Sequence, residues 1–368
     1  MGRRVLFLRS KSPAGIEPRV DKEARALTRA GYDVTVLLWD RALEHPRTER
    51  RDGYRIERVR LRASYGGPDL LVRLPLWWLL SALRILRGRP DIVHAVDFDS
   101  ALPAVLTKRI LGHRLVIDVF DFYADMIALP LSPTVRHRIA RWETRVVLAA
   151  DLVILVDAAR LQRLSPRRPD HVVEVMNVPE ERSIPAAART DFLVFYGGMI
   201  ARDRGLIDLV QACEDSGAKL LVAGHGPDEA TLLPIIESSP AARFLGNIAY
   251  DEVLSATANA DAIVAMYDPA IPGNKLASPN KLFEAMMLAK PVVVSEGTRM
   301  AEIARTEGCG LVVRYGDRAG LRGAIERLML SPSDAEAMGR RGRAAYEGKY
   351  NWRAMERRLL DAYAELAE

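Results

Sequence analysis

Ser278, Pro279, Asn280, Lys281 and Glu284 are the residues whose types and spacing point most directly to chemistry. Ser278 is expected to cap a helix, its hydroxyl accepting from an amide of the first turn. Pro279 suits the first helical position, where no N–H is needed. The amides of Asn280, Lys281 and Leu282 then point out of the helix end. The macrodipole favours an anion there, and Lys281 adds a full positive charge. The expected ligand is a phosphate. Glu284 lies in the second turn, close enough to reach a group attached to that phosphate. A carboxylate beside a diphosphate is a poor phosphate ligand and a good acceptor for two neighbouring ribose hydroxyls. Val292-Val293-Val294, directly after Lys290-Pro291, predicts a buried strand following this helix.

Further segments carry matching chemistry. Tyr196-Gly197-Gly198 ends a strand-like run, and Arg204-Gly205 opens a helical one. Leu221 to Pro227 is glycine-rich around Gly224 and Gly226, and Phe244-Leu245-Gly246-Asn247 leads into Ile248. In this order and spacing, with the Ser278–Glu284 segment and a Trp-containing final helix, they resemble the retaining GT-B glycosyltransferases of family 4 (group 1). The resemblance spans roughly the whole chain. It implies a nucleoside diphosphate sugar donor, with Gly198, Arg204, Gly226, Asn247, Ile248, Asn274, Lys275, Ser278, Asn280, Lys281, Leu282 and Glu284 around it. Arg204 and Lys281 are expected to neutralise the departing diphosphate with no essential bound metal or other cofactor. Glu284 is expected to hold the ribose, and Asp121 joins these three as the expected catalytic set. The resemblance also implies retention of anomeric configuration by front-face attack, with no side-chain nucleophile.

Relatives in this family often read Asp-x-His-Glu where this chain reads Asp118-Val119-Phe120-Asp121. Phe120 stands at the His position and Asp121 at the Glu position, so an imidazole that would meet the sugar is lost. Gly15, Arg19, Phe120 and Asp121 are expected on the acceptor side, Arg19 as a contact for an acceptor phosphate. Leu276 replaces the first of two family glutamates, and Met199 replaces a second cation for which Arg202 is a substitute. The lost glutamate and His keep open a catalytically inactive GT-B scaffold subunit, and a nucleotide-sugar epimerase is the alternative chemistry of the same fold. Two acidic groups, His94/Asp97/Asp99 and Asp118/Asp121/Asp125, follow strand-like runs without a recognised metal-ligand pattern.

The elements that must position these residues alternate along the chain. Short β-branched runs such as Val5–Leu8, Val34–Leu38, Ile92–His94, Leu115–Ile117 and Leu152–Val156 predict parallel strands buried on both faces. The second half repeats the scheme from Phe192–Tyr196 to Val292–Val294. The expected fold is α/β, with two Rossmann-like doubly wound parallel-sheet domains facing a cleft. An acceptor-side domain covers 1–180, a donor domain covers 190–350, and the final helix, 351–368, packs back on the first. Residues 181–190 read as a linker.

At 368 residues and 49% hydrophobic, the chain is long enough for two cores. Cys213 and Cys309, the two cysteines, lack metal spacing and favour a reducing compartment. No segment reads as a signal peptide or a membrane span, so a cytoplasmic protein is expected. Residues 1–180 hold 31 Lys and Arg against 22 Asp and Glu, a net +9 that leaves −4 for the rest of the +5 total. Such a basic half points to an anionic neighbour, here a membrane surface rather than nucleic acid. Leu74 to Leu83 is apolar and flanked by Arg73 and Arg84. Arg73, Trp77, Trp78 and Arg84 are the expected membrane contacts, at the inner face of the cell membrane, serving a lipid-linked or glycan acceptor.

Overall fold

The computed structural model describes residues 2–11, 15–64, 67, 69–126, 132–185 and 191–367, apart from the side chains of Asp125, Met126 and Ala367. Residues 186–190 of the expected linker and the Asp125 carboxylate fall outside that description. The chain divides into two compact units: unit 1 comprises Met1–Met176 and Met355–Glu368, and unit 2 comprises Asn177–Ala354.

Unit 1 is built on eight strands: β1 (Arg4–Arg9), β2 (Asp33–Asp40), β3 (Thr48–Arg51), β4 (Tyr54–Arg60), β5 (Ile92–Val96), β6 (Arg114–Val119), β7 (Leu152–Leu155) and β8 (Val172–Glu174). Their order is β3-β4-β2-β1-β5-β6-β7-β8, parallel except for the β3–β4 pair. Its helices are α1 (Pro18–Arg29), α2 (Leu70–Gly88), α3 (Phe98–Leu111), the short α4 (Tyr123–Met126) and α5 (Pro133–Val147). The β1 side chains alternate between faces. Leu6 and Leu8 join one core with Trp77 and Ile85 of α2, Phe98 and Ala101 of α3, and Val146 and Val147 of α5. On the other face Phe7 stacks on His94 at 4.1 Å, and the Tyr363 hydroxyl lies 2.6 Å from His94 Nδ1. Tyr363 belongs to the last helix, α14 (Trp352–Ala367).

The α2 helix corrects one expectation. Trp77 is not a surface anchor: it is 0% exposed and stacks on Trp39 of β2 with ring centroids 5.7 Å apart. Ser81, one turn on, is equally buried. The face of α2 that carries Trp77 and Ser81 therefore turns into the core, where the two stacked indoles bury a large apolar area. Trp78 is half-buried, its Nε1–H donating to the Asp99 carbonyl at 2.8 Å. Arg84 forks onto Glu57 of β4 at 2.6 and 3.0 Å, so its charge is already paired within unit 1. Of the four, Arg73 is exposed to solvent.

Unit 2 has six strands: β9 (Leu193–Gly197), β10 (Lys219–Ala223), β11 (Ala242–Phe244), β12 (Ala262–Ala265), β13 (Val292–Ser295) and β14 (Gly310–Val313). All pairs are parallel, in the order β11-β10-β9-β12-β13-β14. The helices between them are α6 (Leu206–Ser216), α7 (Glu229–Ser238), α8 (Tyr250–Asn259), α9 (Pro272–Lys275), α10 (Asn280–Met287), α11 (Arg299–Glu307), α12 (Arg318–Leu330) and α13 (Pro332–Gly348). From β9 the chain moves first to β10 on one side and later to β12 on the other. That reversal makes the carboxyl end of β9 the switch point where α/β sheets hold ligands. No helix of the described residues is long and apolar enough to cross a membrane.

Candidate functional site

A cleft of about 510 Å3 opens at that switch point in unit 2. Its floor is made by two glycine turns in close approach. A Cβ on Gly224, at φ +130°, would lie 1.8 Å from the Gly198 carbonyl oxygen, and one on Gly198 would lie 2.6 Å from Lys281 Nζ. Only glycine leaves room for a ligand backbone-close at this point. Asn247 and Ile248 line one side, and Asn280, Lys281 and Glu284 of α10 line another.

Lys281 is the most unusual group in the cleft. It is 8% exposed, and its Nζ has no hydrogen-bond partner in the protein. The nitrogen sits 4.1 Å from the centre of the Tyr196 ring and 5.5 Å from that of Tyr267. Burial, helped by the charge of Arg204 and opposed by Glu284, pulls its pKa down to about 7. Asn280 Oδ1, Ser278 Oγ and Arg204 Nε are likewise buried without a partner. Buried polar atoms left unpaired cost stability, so several in one place mark a site organised for something else. Glu284 is 4% exposed, and Tyr250, the first residue of α8, donates its hydroxyl to that carboxylate.

Several expected donor contacts have other employment. Ser278 is not the cap: the helix begins at Asn280, Pro279 takes the cap position in extended conformation, and no side chain caps it. The Leu282 amide is not free either, since it donates to the Pro279 carbonyl at 3.1 Å, and its side chain is buried. The tight first turn consumes that amide, leaving those of Asn280 and Lys281 at the helix end. Asn274 is saturated: Nδ2 donates to Asp203 Oδ2 at 2.8 Å and the Asp268 carbonyl at 3.1 Å, and Oδ1 accepts from Arg204 at 3.1 Å. It therefore orients Arg204, whose guanidinium stacks 4.0 Å over the Tyr267 ring. Gly226 serves packing, its amide donating to Glu229 and its Cα pressed on the Ile200 backbone. Lys275 is exposed and away from the cleft lining. Arg202 turns outward to Thr231 and Asp228.

The sequence reading missed Tyr196, Tyr250 and Tyr267. Tyr267 lies two residues past β12 and Tyr196 lies within β9, next to the glycine turn, so the strand-end rule was the available signal.

In unit 1 the expected acceptor-side residues separate. Arg19 is a core residue, 2% exposed. It donates to Asp118 at 2.9 and 3.1 Å and to the Val175 carbonyl at 2.5 Å, and forms an ion pair with Glu23 at 3.0 Å. A guanidinium buried this way is held by carboxylates, and no acceptor phosphate reaches it. Burial and the Asp118 charge, opposed by Arg19, push the Glu23 carboxyl well above the usual range. Burial would raise Asp118 too, but Arg19 and His94 hold it low. Glu23, His94 and Asp118 offer the donor set of a cation site, yet the Arg19 guanidinium already stands there as the cation, hydrogen-bonded to Asp118 and ion-paired with Glu23.

At the strand ends, Arg9 pairs with Asp97 at 2.5 Å and Glu17 at 2.6 Å. Asp97, at φ +61° and ψ 168°, also accepts from the Phe120 and Asp121 amides at 2.9 and 3.3 Å. That backbone conformation is essentially reserved for glycine, and it persists here because three partners, Arg9 and the Phe120 and Asp121 amides, hold the carboxylate. Phe120 lies between the Arg9 and Arg19 guanidinium groups, 4.8 and 4.7 Å from its ring centre. Asp121 is about half exposed and pairs with Arg160 at 2.9 Å. Gly15 adopts φ +93° beside the His45 ring. A larger cleft, about 1040 Å3, lies at the amino ends of the unit 1 strands. Its Arg4 is paired with Asp91 and nearby carbonyls, and it lacks the unpaired buried groups of the unit 2 cleft.

Two sequence families match the chain: the "Glycosyl transferase 4-like domain" over residues 14–179 and "Glycosyl transferases group 1" over residues 190–331. Glycogen synthase of Mycobacterium tuberculosis is 22% identical over 380 residues, covering 95% of this chain and 90% of the relative. Sucrose-phosphate synthase from Thermosynechococcus elongatus superposes with a TM-score of 0.80 at 18% identity, covering 99% of each chain. Anabaena HepE, solved with UDP and glucose, gives 0.73 at 14% identity, covering 99% of this chain and 100% of that one. With two doubly wound sheets and matches to both halves, the chain belongs to the group 1, family 4-type glycosyltransferases of GT-B fold.

Proposed function

We propose that the protein transfers a sugar from a nucleoside diphosphate donor, with retention of configuration, to a lipid-linked or glycan acceptor at the inner face of the cell membrane. The observation that carries the donor reading is Lys281: a buried lysine without a partner, next to Glu284 and the free amides of a helix start. A diphosphate satisfies the ammonium and the amides together, and Glu284 accepts from the ribose diol. The UDP complex of the structurally similar Anabaena protein supports the same donor class.

In this reading the acceptor hydroxyl attacks the anomeric carbon from the face the diphosphate leaves. The C–O bond to phosphate breaks, the new glycosidic bond forms, and the departing phosphate oxygen takes the proton. Lys281, Arg204 and the α10 amides stabilise the growing negative charge, with no resident metal called for. Asn274 is a positioning residue for Arg204. Gly15 and Asp121 remain the acceptor-side contacts assigned in unit 1.

The test is nucleoside diphosphate release from a panel of nucleotide sugars, with and without a membrane lipid extract. Release from one donor, stimulated by lipid and reduced on the order of 100-fold by Glu284→Ala, is the expected result. Absence of release together with absence of nucleoside diphosphate binding by calorimetry would replace this reading with the inactive-scaffold alternative.

A further inference from the structure

We infer that the outer side of the α2–α3–α5 layer in unit 1 is a docking surface for an anionic lipid bilayer. This deepens the membrane-acceptor reading above, and it rests on that reading only for its purpose. The three helices share one core against one face of the sheet, so their outer sides look the same way. Trp142 of α5 ties them together, its ring 6.4 Å from Trp78 of α2 and 4.8 Å from Phe98 of α3, while remaining 41% exposed.

Two independent features mark this surface. Seven of the thirteen exposed large apolar side chains among the described residues lie on these three helices, including Leu71 at 78% and Ile110 at 70% exposure. The same helices carry nine Lys and Arg against two acidic residues, Asp99 and Glu143. Both acids are buried, Asp99 accepting from Ser10 Oγ and Glu143 from the Tyr123 amide. Every exposed charged side chain on the three helices is therefore positive, with Arg138, Arg141 and Arg145 following one another along α5.

Apolar side chains among arginines suit the headgroup boundary of a bilayer, where the chains insert and the guanidinium groups meet phosphates. No described helix is long and apolar enough to cross, so the contact is peripheral. A second copy of the chain is a poor occupant, because two faces of uniform positive charge repel.

The full-length protein is floated with phosphatidylcholine vesicles, with and without phosphatidylglycerol. Binding to the anionic vesicles alone, weakening with salt, is expected. Arg138→Glu with Arg141→Glu should reduce it roughly tenfold or more. Leu71→Ser with Val72→Ser, both at highly exposed positions, should also reduce it. Nucleoside diphosphate binding should be unchanged in both variants, which reports folding and separates this inference from the donor reading. Flotation equal to the parent in both variants would overturn the inference. So would salt-sensitive self-association in sedimentation that the same substitutions abolish.

Discussion

At the scale of single residues, Lys281 links structure to a measurable proton. Its pKa in the free protein is pulled down to about 7 by burial and by Arg204. Above that pH the amine is largely neutral. A bound diphosphate favours the ammonium, so the pKa in the complex is higher and a proton is taken up on binding. Affinity should be level below pH 7 and fall as pH rises from 7 towards the pKa of the complex. A nucleotide sugar is the better ligand for this experiment, because a terminal phosphate titrates at about 6 and would add its own proton. Calorimetry in buffers of different ionisation enthalpy at pH 8 reads the uptake directly. Lys281→Met should abolish it and weaken binding on the order of 10- to 100-fold, the worth of a charged hydrogen bond. The sign for stability is opposite. A lysine whose folded pKa lies below its unfolded value costs stability at neutral pH, so the ligand-free Met variant should melt higher than the parent. Equal proton uptake in parent and variant would remove Lys281 from the diphosphate site.

At the scale of elements, the donor site depends on where α10 ends as much as on where it begins. Ala289 follows the helix at φ +54°, and the Lys290 amide returns to the Ala285 carbonyl at 2.8 Å. Gly339 of α13 lies against that turn, where a Cβ would come 2.0 Å from the Ala289 carbonyl oxygen. Backbone, not a flexible side-chain tip, stands in the way. Gly339→Ala should therefore cost about 1–3 kcal/mol by overpacking and weaken donor binding, because α10 must shift. Denaturant unfolding and a binding isotherm on the same preparation test both parts; unaltered stability would show that α13 yields freely. The strands and glycine turns around this helix were legible in the sequence because each signal is local: a β-branched run, then Gly197-Gly198 or Gly224. Partners far along the chain were not legible. Arg19 at a helix start looks the same on a surface as in a core, and its partner Asp118 is 99 positions away. The inward face of α2 was misread for a related reason: with nearly every position apolar, periodicity cannot say that Trp77 meets Trp39.

At the scale of the whole molecule, the two units differ in how the chain makes them. Unit 2 is one continuous segment, Asn177–Ala354, whereas unit 1 needs Met355–Glu368 returned to it. Every residue lining the donor cleft lies between Asn177 and Glu284. The segment's start is tied to its end inside the unit, since Tyr346 donates its hydroxyl to the Pro179 carbonyl at 3.1 Å and Arg343 pairs with Glu181. A fragment covering 177–354 is therefore expected to fold cooperatively and to bind nucleoside diphosphate within about tenfold, roughly 1.4 kcal/mol, of the intact chain. The complementary fragment, 1–176, should behave differently. Without the last helix it lacks Met355, Leu359 and Tyr363, all 0% exposed in the intact chain, and the His94 ring loses its hydroxyl partner. Exposing that apolar face exceeds the margin by which most domains are stable. It should be unfolded or aggregated alone, and rescued when residues 355–367 are restored through a flexible linker. Circular dichroism melts of the three fragments decide the matter. A cooperative melt for 1–176 by itself would show that the last helix decorates unit 1 instead of completing its core.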